Sequence, residues 1–159
     1  MRYLTIVIFV VYLFILAKLI IFKGPMFYEV VKGTDEYRRE TAYAAHTKVN
    51  LVPFRTIKRF ANPHPSTSTE AKFFNLFGNI GLFIPFGFLL PLVAKRLHRF
   101  RHVLFSSILL SLAFETYQLV THTGQFDIDD IILNTLGGII GYLVLRLISR
   151  NVRFRTANA

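Results

Sequence analysis

The sequence predicts an all-α, polytopic membrane protein: one membrane domain over residues 1–159 with four transmembrane helices at about 4–22, 73–93, 103–121 and 131–148. Three observations carry this prediction. The 159-residue chain is 53% hydrophobic, and much of that share lies in four long runs rather than in the short alternations of a water-soluble core. About 20 apolar residues rising 1.5 Å each cross a hydrocarbon layer of about 30 Å, and the four runs reach or approach that length. Finally, the 19 Lys and Arg residues outnumber the 9 acids and collect mainly between the runs. Cysteine is absent, which excludes disulfides.

The first run, "LTIVIFVVYLFILAKLIIF", is too long for a signal-peptide core and leads into "KGPMFYE" rather than a small-residue cleavage site, so an uncleaved helix is expected. Lys18, one turn from its end, can snorkel to the interface. The loop 23–72 is expected to contain short helices. "DEYRRETAYAAH" (35–46) favours one on the surface, and "NLVPF" (50–54) is extended because Pro53 disfavours helix at Val52. "RTIKRF" (55–60) reads as an amphipathic turn with Ile57 and Phe60 on one side. Thr67-x-x-Glu70 is a capping-box pattern, placing the start of the second helix near residue 68. Within that helix Pro85 should produce a kink, Gly78, Gly81 and Gly87 should permit close backbone approach, and the Phe-rich face should meet lipid.

Charge placement orients the bundle. "KRLHRFRH" (95–102) carries four Lys/Arg and no acid, and the tail carries Arg150, Arg153 and Arg155, with Arg146 in the last turn of the fourth run. The positive-inside rule puts both in the cytoplasm, giving an N-in/C-in topology with loop 23–72 extracellular. That loop's own nine Lys/Arg oppose this, but they are spread over fifty residues among five acids. The formal charge of +10 is therefore an orientation signal; no nucleic-acid motif accompanies it, and no nucleic-acid partner is expected.

Polar groups inside apolar runs are costly and mark candidate sites. Asn75 and Asn79 share a face of the second helix. Ser107, Ser111, Glu115 and Gln118 form a stripe on the third. Asp127, Asp130, Asn134 and Gly141 fall on one face of the fourth, where Gly137-x-x-x-Gly141 is a tight-packing pattern. In the N-in topology these polar groups converge near the outer interface as one outward-facing pocket, with "NLVPF" above it as a lid. Asp127 also suits an N-cap with Asp130 in the first turn, while Asp129 is expected to point elsewhere, toward an interface or partner contact. The amides alternatively serve as interhelical hydrogen-bond glue.

"NLVPF", "GNIGLFIPFG", "FETYQ" and "FDIDDIILNTLGG", in that order over residues 48–142, resemble the successive motifs of the VanZ-like family of bacterial membrane proteins. The family is named for a member linked to resistance against teicoplanin, a lipoglycopeptide antibiotic. The resemblance implies that Asn50, Pro53, Phe54, Asn79, Pro85, Gly87, Glu115, Gln118, Asp127, Asp130 and Asn134 hold motif positions, with Lys48 standing for a basic residue ahead of the first motif. Many members carry Arg just before the Phe-Asp pair; here Gly124 and Gln125 occupy that stretch.

Two functional classes follow. The first is an envelope binding protein of the bacterial cell membrane. Its ligand-binding residues would be Asn50, Pro53, Phe54, Asn75, Asn79, Glu115, Gln118, Asp127, Asp130 and Asn134, and its partner a membrane lipid, a lipid-linked envelope precursor or a lipoglycopeptide antibiotic. The second is a membrane hydrolase or transferase using Glu115, Asp127 and Asp130 as an acid–base set or as oxygen ligands of Mg²⁺ or Ca²⁺. No nucleophile accompanies those acids, so binding ranks first and no cofactor is expected. Four helices without repeats place a transporter third. The five histidines lack zinc-site spacing. The glycine faces fit packing within a chain or between chains, leaving the oligomeric state open.

Overall fold

A computed structural model of the chain describes residues 2–21, 49–55, 57, 58 and 69–157. Four helices dominate it: α1 (Arg2–Ile21), α2 (Thr69–Val93), α3 (Phe100–Thr121) and α4 (Ile128–Ala157). A 3₁₀ turn (Lys95–Leu97) links α2 to α3. Two short strands, β1 (Val49–Asn50) and β2 (Phe126–Asp127), pair in parallel, Val49 beside Phe126 and Asn50 beside Asp127. The expected helix at 35–46, the linker before α2, Lys48, Phe60 and the side chains of Thr67, Glu70 and Asn75 lie outside the described residues.

All four helices contain a stretch long and apolar enough to cross a membrane. Large apolar side chains face outward along them: Phe14 is 75% exposed, Val120 71% and Leu109 65%. Water would penalise that much apolar surface, whereas hydrocarbon does not. α4 differs from the expected 131–148 at both ends. It begins at Ile128, where Asp127 caps it, and runs on to Ala157 because nothing in the Arg-rich tail breaks a helix.

Contacts along the helices give their directions. Gly137 and Gly141 of α4 meet Ile80 and Ile84 of α2, so those two helices run parallel. Asn134 meets Ser111 and Asp127 meets Glu115, so α3 and α4 run antiparallel. Phe9 stacks on Phe86 while Tyr12 reaches Leu82, which sets α1 antiparallel to α2. One end of the bundle therefore gathers Ile20, Gln118 and Asp127, and the opposite end holds Lys95–Leu97 and Arg146.

Glycine decides the closest approach. A Cβ on Gly141 would overlap the Ile84 carbonyl, one on Gly137 the Ile80 carbonyl, and one on Gly87 the Gly138 carbonyl. Gly137-x-x-x-Gly141 thus works as the sequence predicts, locking α4 onto α2 backbone to backbone. Gly78 and Gly81 do not take part: a Cβ there would have nothing within 4 Å, because they lie off the α4-facing side of α2. The Phe-rich face of α2 also differs from expectation. Phe83 and Phe86 are buried with Phe9, Leu16, Leu90 and Phe114 in the core between α1, α2 and α3, while Phe77 is half exposed. The α1 helix covers that face, and its partner surface could not be read from α2 alone.

Pro85 and Pro91 both lie inside α2. Proline has no N–H, so Pro85 leaves the Gly81 carbonyl without its helical donor and crowds the preceding turn. Next to that break the Tyr12 hydroxyl donates to the Leu82 carbonyl at 2.6 Å. At the other end of the bundle Arg146 lies over the Tyr142 ring at 5.4 Å and donates to its hydroxyl at 2.9 Å, running its apolar stem along the helix.

Candidate functional site

The α3 helix ends in a left-handed cap. His122 has φ 56°, and both its N–H and that of Thr123 (3.1 Å) reach the Gln118 carbonyl. This closure fits the pattern in which a residue past the helix end turns left-handed to satisfy the last carbonyls. The chain is thereby thrown back across the bundle end. Gly124 packs on the Gln118 amide, where a Cβ would come within 3.2 Å of Cδ and Nε2. Two residues later Phe126 and Asp127 join β1.

Asp127 is the hub. Its N–H donates to Glu115 Oε2 at 2.8 Å. Its Oδ1 accepts from the Asn50 amide at 3.1 Å and from the Asp129 N–H at 2.9 Å. The last bond is the N-cap the sequence predicts, a side-chain oxygen taking the amide two residues on. Glu115 is 1% exposed although it lies six residues, ~9 Å, inside the end of α3. Its carboxyl accepts from the Asp127 backbone. Deeper in, Asn134 donates to Ser111 Oγ at 2.8 Å, and Ser107 bonds back to the Val103 carbonyl at 2.8 Å. Asn79 is buried on α2, one residue before Ile80, which meets Gly137 of α4. Gln118 faces α1, donating to the Ile20 carbonyl at 2.9 Å and so capping the end of that helix.

Asp129 points away from Asp127 and Asn134 as expected, but its contact lies inside the fold where an interface or partner contact was expected. It is fully buried, and both of its oxygens cross to the 49–58 segment. Oδ1 accepts the Phe54 N–H and Oδ2 accepts the Ile57 N–H at 3.1 Å. Phe54 has φ 62°, a left-handed conformation unusual for an aromatic residue, and the carboxylate holds it there at the start of a helical turn. Consecutive carboxylates therefore divide the work: Asp127 caps its own helix and Asp129 caps a turn that is distant in the chain. Asp130 lies half-buried on the same first turn of α4.

Of the expected site residues, Asn50, Glu115 and Asp127 are brought into one hydrogen-bonded unit, with Asn79, Gln118 and Asn134 buried beneath or beside it. Pro53 and Phe54 are exposed on the segment this unit anchors. Among the described residues these polar groups bond one another and backbone, beneath the 49–58 segment. On the exposed side of α3 a shallow apolar groove runs past Leu109, Leu112, Ala113, Thr116, Tyr117 and Val120 toward this end. Among the described residues no three His, Cys, Asp or Glu side chains gather as metal ligands. Asp129 and the β1–β2 pairing were missed from sequence; the spacing Asp127-x-Asp129-Asp130 was the only signal, and it did not name the backbone amides that use it.

No solved structure matches this chain. Protein VanZ of Enterococcus faecium is 36% identical over 105 residues, 64% of this chain and 62% of that protein, so the match spans less than two thirds of the relative. The VanZ/LLP1 family profile matches residues 9–149, from the middle of α1 to near the end of α4. With that match and its four membrane-length helices, the chain is a multi-pass membrane protein belonging to the VanZ/LLP1 family.

Proposed function

We propose that this protein acts in the bacterial cell envelope, in resistance to lipoglycopeptides such as teicoplanin. In this reading it holds a lipophilic ligand at the outer face of the cell membrane. The ligand class is a membrane lipid, a lipid-linked cell-wall intermediate or the antibiotic itself. The observation that carries the reading is the polar network of Glu115, Asn50 and Asp127 concentrated at one end of an otherwise apolar bundle. An ionisable side chain in a membrane helix is costly enough to count as a functional candidate by default. The positive-inside rule turns this end outward. An acyl chain would lie along the groove from Leu109 to Val120, and its polar head would meet the 122–127 connection and the half-buried Asp130.

An enzyme built on Glu115, Asp127 and Asp130, with or without Mg²⁺ or Ca²⁺, is the second reading. Binding is preferred because Glu115 Oε2 and Asp127 Oδ1 already accept protein N–H groups. Native mass spectrometry of the gently extracted protein tests the proposal. A retained lipid or cell-wall precursor is expected, lost together with any teicoplanin tolerance in Glu115→Gln. A protein that carries no such species and confers no change in teicoplanin susceptibility overturns it.

A further inference from the structure

The 49–54 segment turns its apolar side chains outward. Leu51 is 62% exposed, Val52 56% and Phe54 51%, with exposed Pro53 between them. Such a run of apolar surface marks an interaction site. The backbone beneath it indicates the partner. The Phe54 and Ile57 N–H groups are taken by Asp129, that of Val52 by Asn50 Oδ1 at 3.4 Å, that of Arg55 by the Val52 carbonyl at 3.3 Å and that of Lys58 by the Phe54 carbonyl at 2.8 Å. Pro53 has none to place. From Val52 to Lys58, every N–H of the described residues is thus spent inside the protein. A loop bathed in water has no need of this, because water supplies partners. A loop entering a water-poor layer requires it, since polar backbone there finds no other partner.

Two further observations agree. Asp129, which anchors the segment, sits one residue inside the apolar span Ile128–Arg150, so the loop lies at the level where that span leaves the hydrocarbon. The exposed Arg55 and Lys58 follow the apolar run, the placement that suits anionic headgroups above buried side chains. We infer that residues 49–54 form a fixed wedge in the membrane interface, with Leu51, Val52 and Phe54 among the upper acyl carbons and Arg55 and Lys58 at the lipid phosphates. Its partner is the lipid surface itself. The wedge does not depend on the proposed ligand or on which face of the membrane it occupies. A buried carboxylate holding the Phe54 amide, and that of Ile57 just beyond, makes it a fixture, not a lid.

The chain has no tryptophan, so Phe54→Trp creates a single reporter. The full-length protein would be reconstituted in phosphatidylcholine–phosphatidylglycerol vesicles whose acyl chains carry a spin label at a shallow or a deep carbon. Emission shifted to the blue of free indole, protection from aqueous iodide and stronger quenching by the shallow label are expected. Leu51→Trp should behave alike, since both positions face away from the core. Leu109→Trp, on the outer face of α3, serves as the embedded standard quenched by the deep label. Emission at positions 51 and 54 that is open to iodide, or shielded from it yet indifferent to both lipid labels, overturns the inference.

Discussion

Replacing Asp129 tests the network at the point where it carries most. Both carboxylate oxygens accept backbone N–H groups from the 54–58 turn, and the side chain is fully buried. A hydrogen bond to a charged group contributes about 1.5–3 kcal/mol, and a buried donor left alone loses the whole of it. Asp129→Asn keeps one acceptor and sets an amide NH₂ against the other N–H, so it should cost about 1.5–3 kcal/mol; Asp129→Ala removes both and should cost about 3–6 kcal/mol. Since 1.4 kcal/mol is a factor of ten, the Asn variant should open the turn roughly 10- to 100-fold more often. Hydrogen–deuterium exchange in detergent micelles reads this directly at the amides of Phe54 and Ile57, which report local opening. Exchange within the helical core of α2 and α4 should change far less. Asp130→Asn, one residue on, should leave both amides protected. Unchanged protection in Asp129→Ala, or equal loss in Asp130→Asn, would refute the assignment of this carboxylate as the anchor.

Gly141→Ala should separate α2 from α4, since its methyl would overlap the Ile84 carbonyl and sit 2.9 Å from the Phe88 nitrogen; overpacking of this kind costs about 1–3 kcal/mol. Gly81→Ala, with nothing within 4 Å of its methyl, should stay within about 1 kcal/mol of the parent or stabilise it. Thermal unfolding in one detergent compares the two, and equal midpoints would contradict the packing. Gln118→Leu removes the donor to the Ile20 carbonyl and should cost about 1–3 kcal/mol, seen as a lowered midpoint and faster exchange at the end of α1. A parental midpoint would show that α1 ends without this cap.

Much of the fold was legible along the chain because lipid partition is a one-dimensional property. A run of apolar residues long enough to span hydrocarbon must become a helix there, since only internal hydrogen bonds satisfy its backbone. That principle located the four helices, and Gly137-x-x-x-Gly141 located a face of close approach. The stripe of Ser107, Ser111, Glu115 and Gln118 was legible for the same reason, since helical periodicity puts such residues on one side and burial follows.

Which partner each face meets was decided only in three dimensions. Phe83 and Phe86 turn inward because α1 lies against them, and Gly87 is used while Gly78 and Gly81 are not because α4 crosses α2 on one side. Asp129 is the sharpest case. By helical spacing it faces away from Asp127 and Asn134, yet it is buried by a loop whose amides lie 72 and 75 residues earlier in the chain. Periodicity reports the direction in which a side chain points. It carries no information on what the chain has placed there, and a carboxylate becomes an anchor only when backbone donors converge on it.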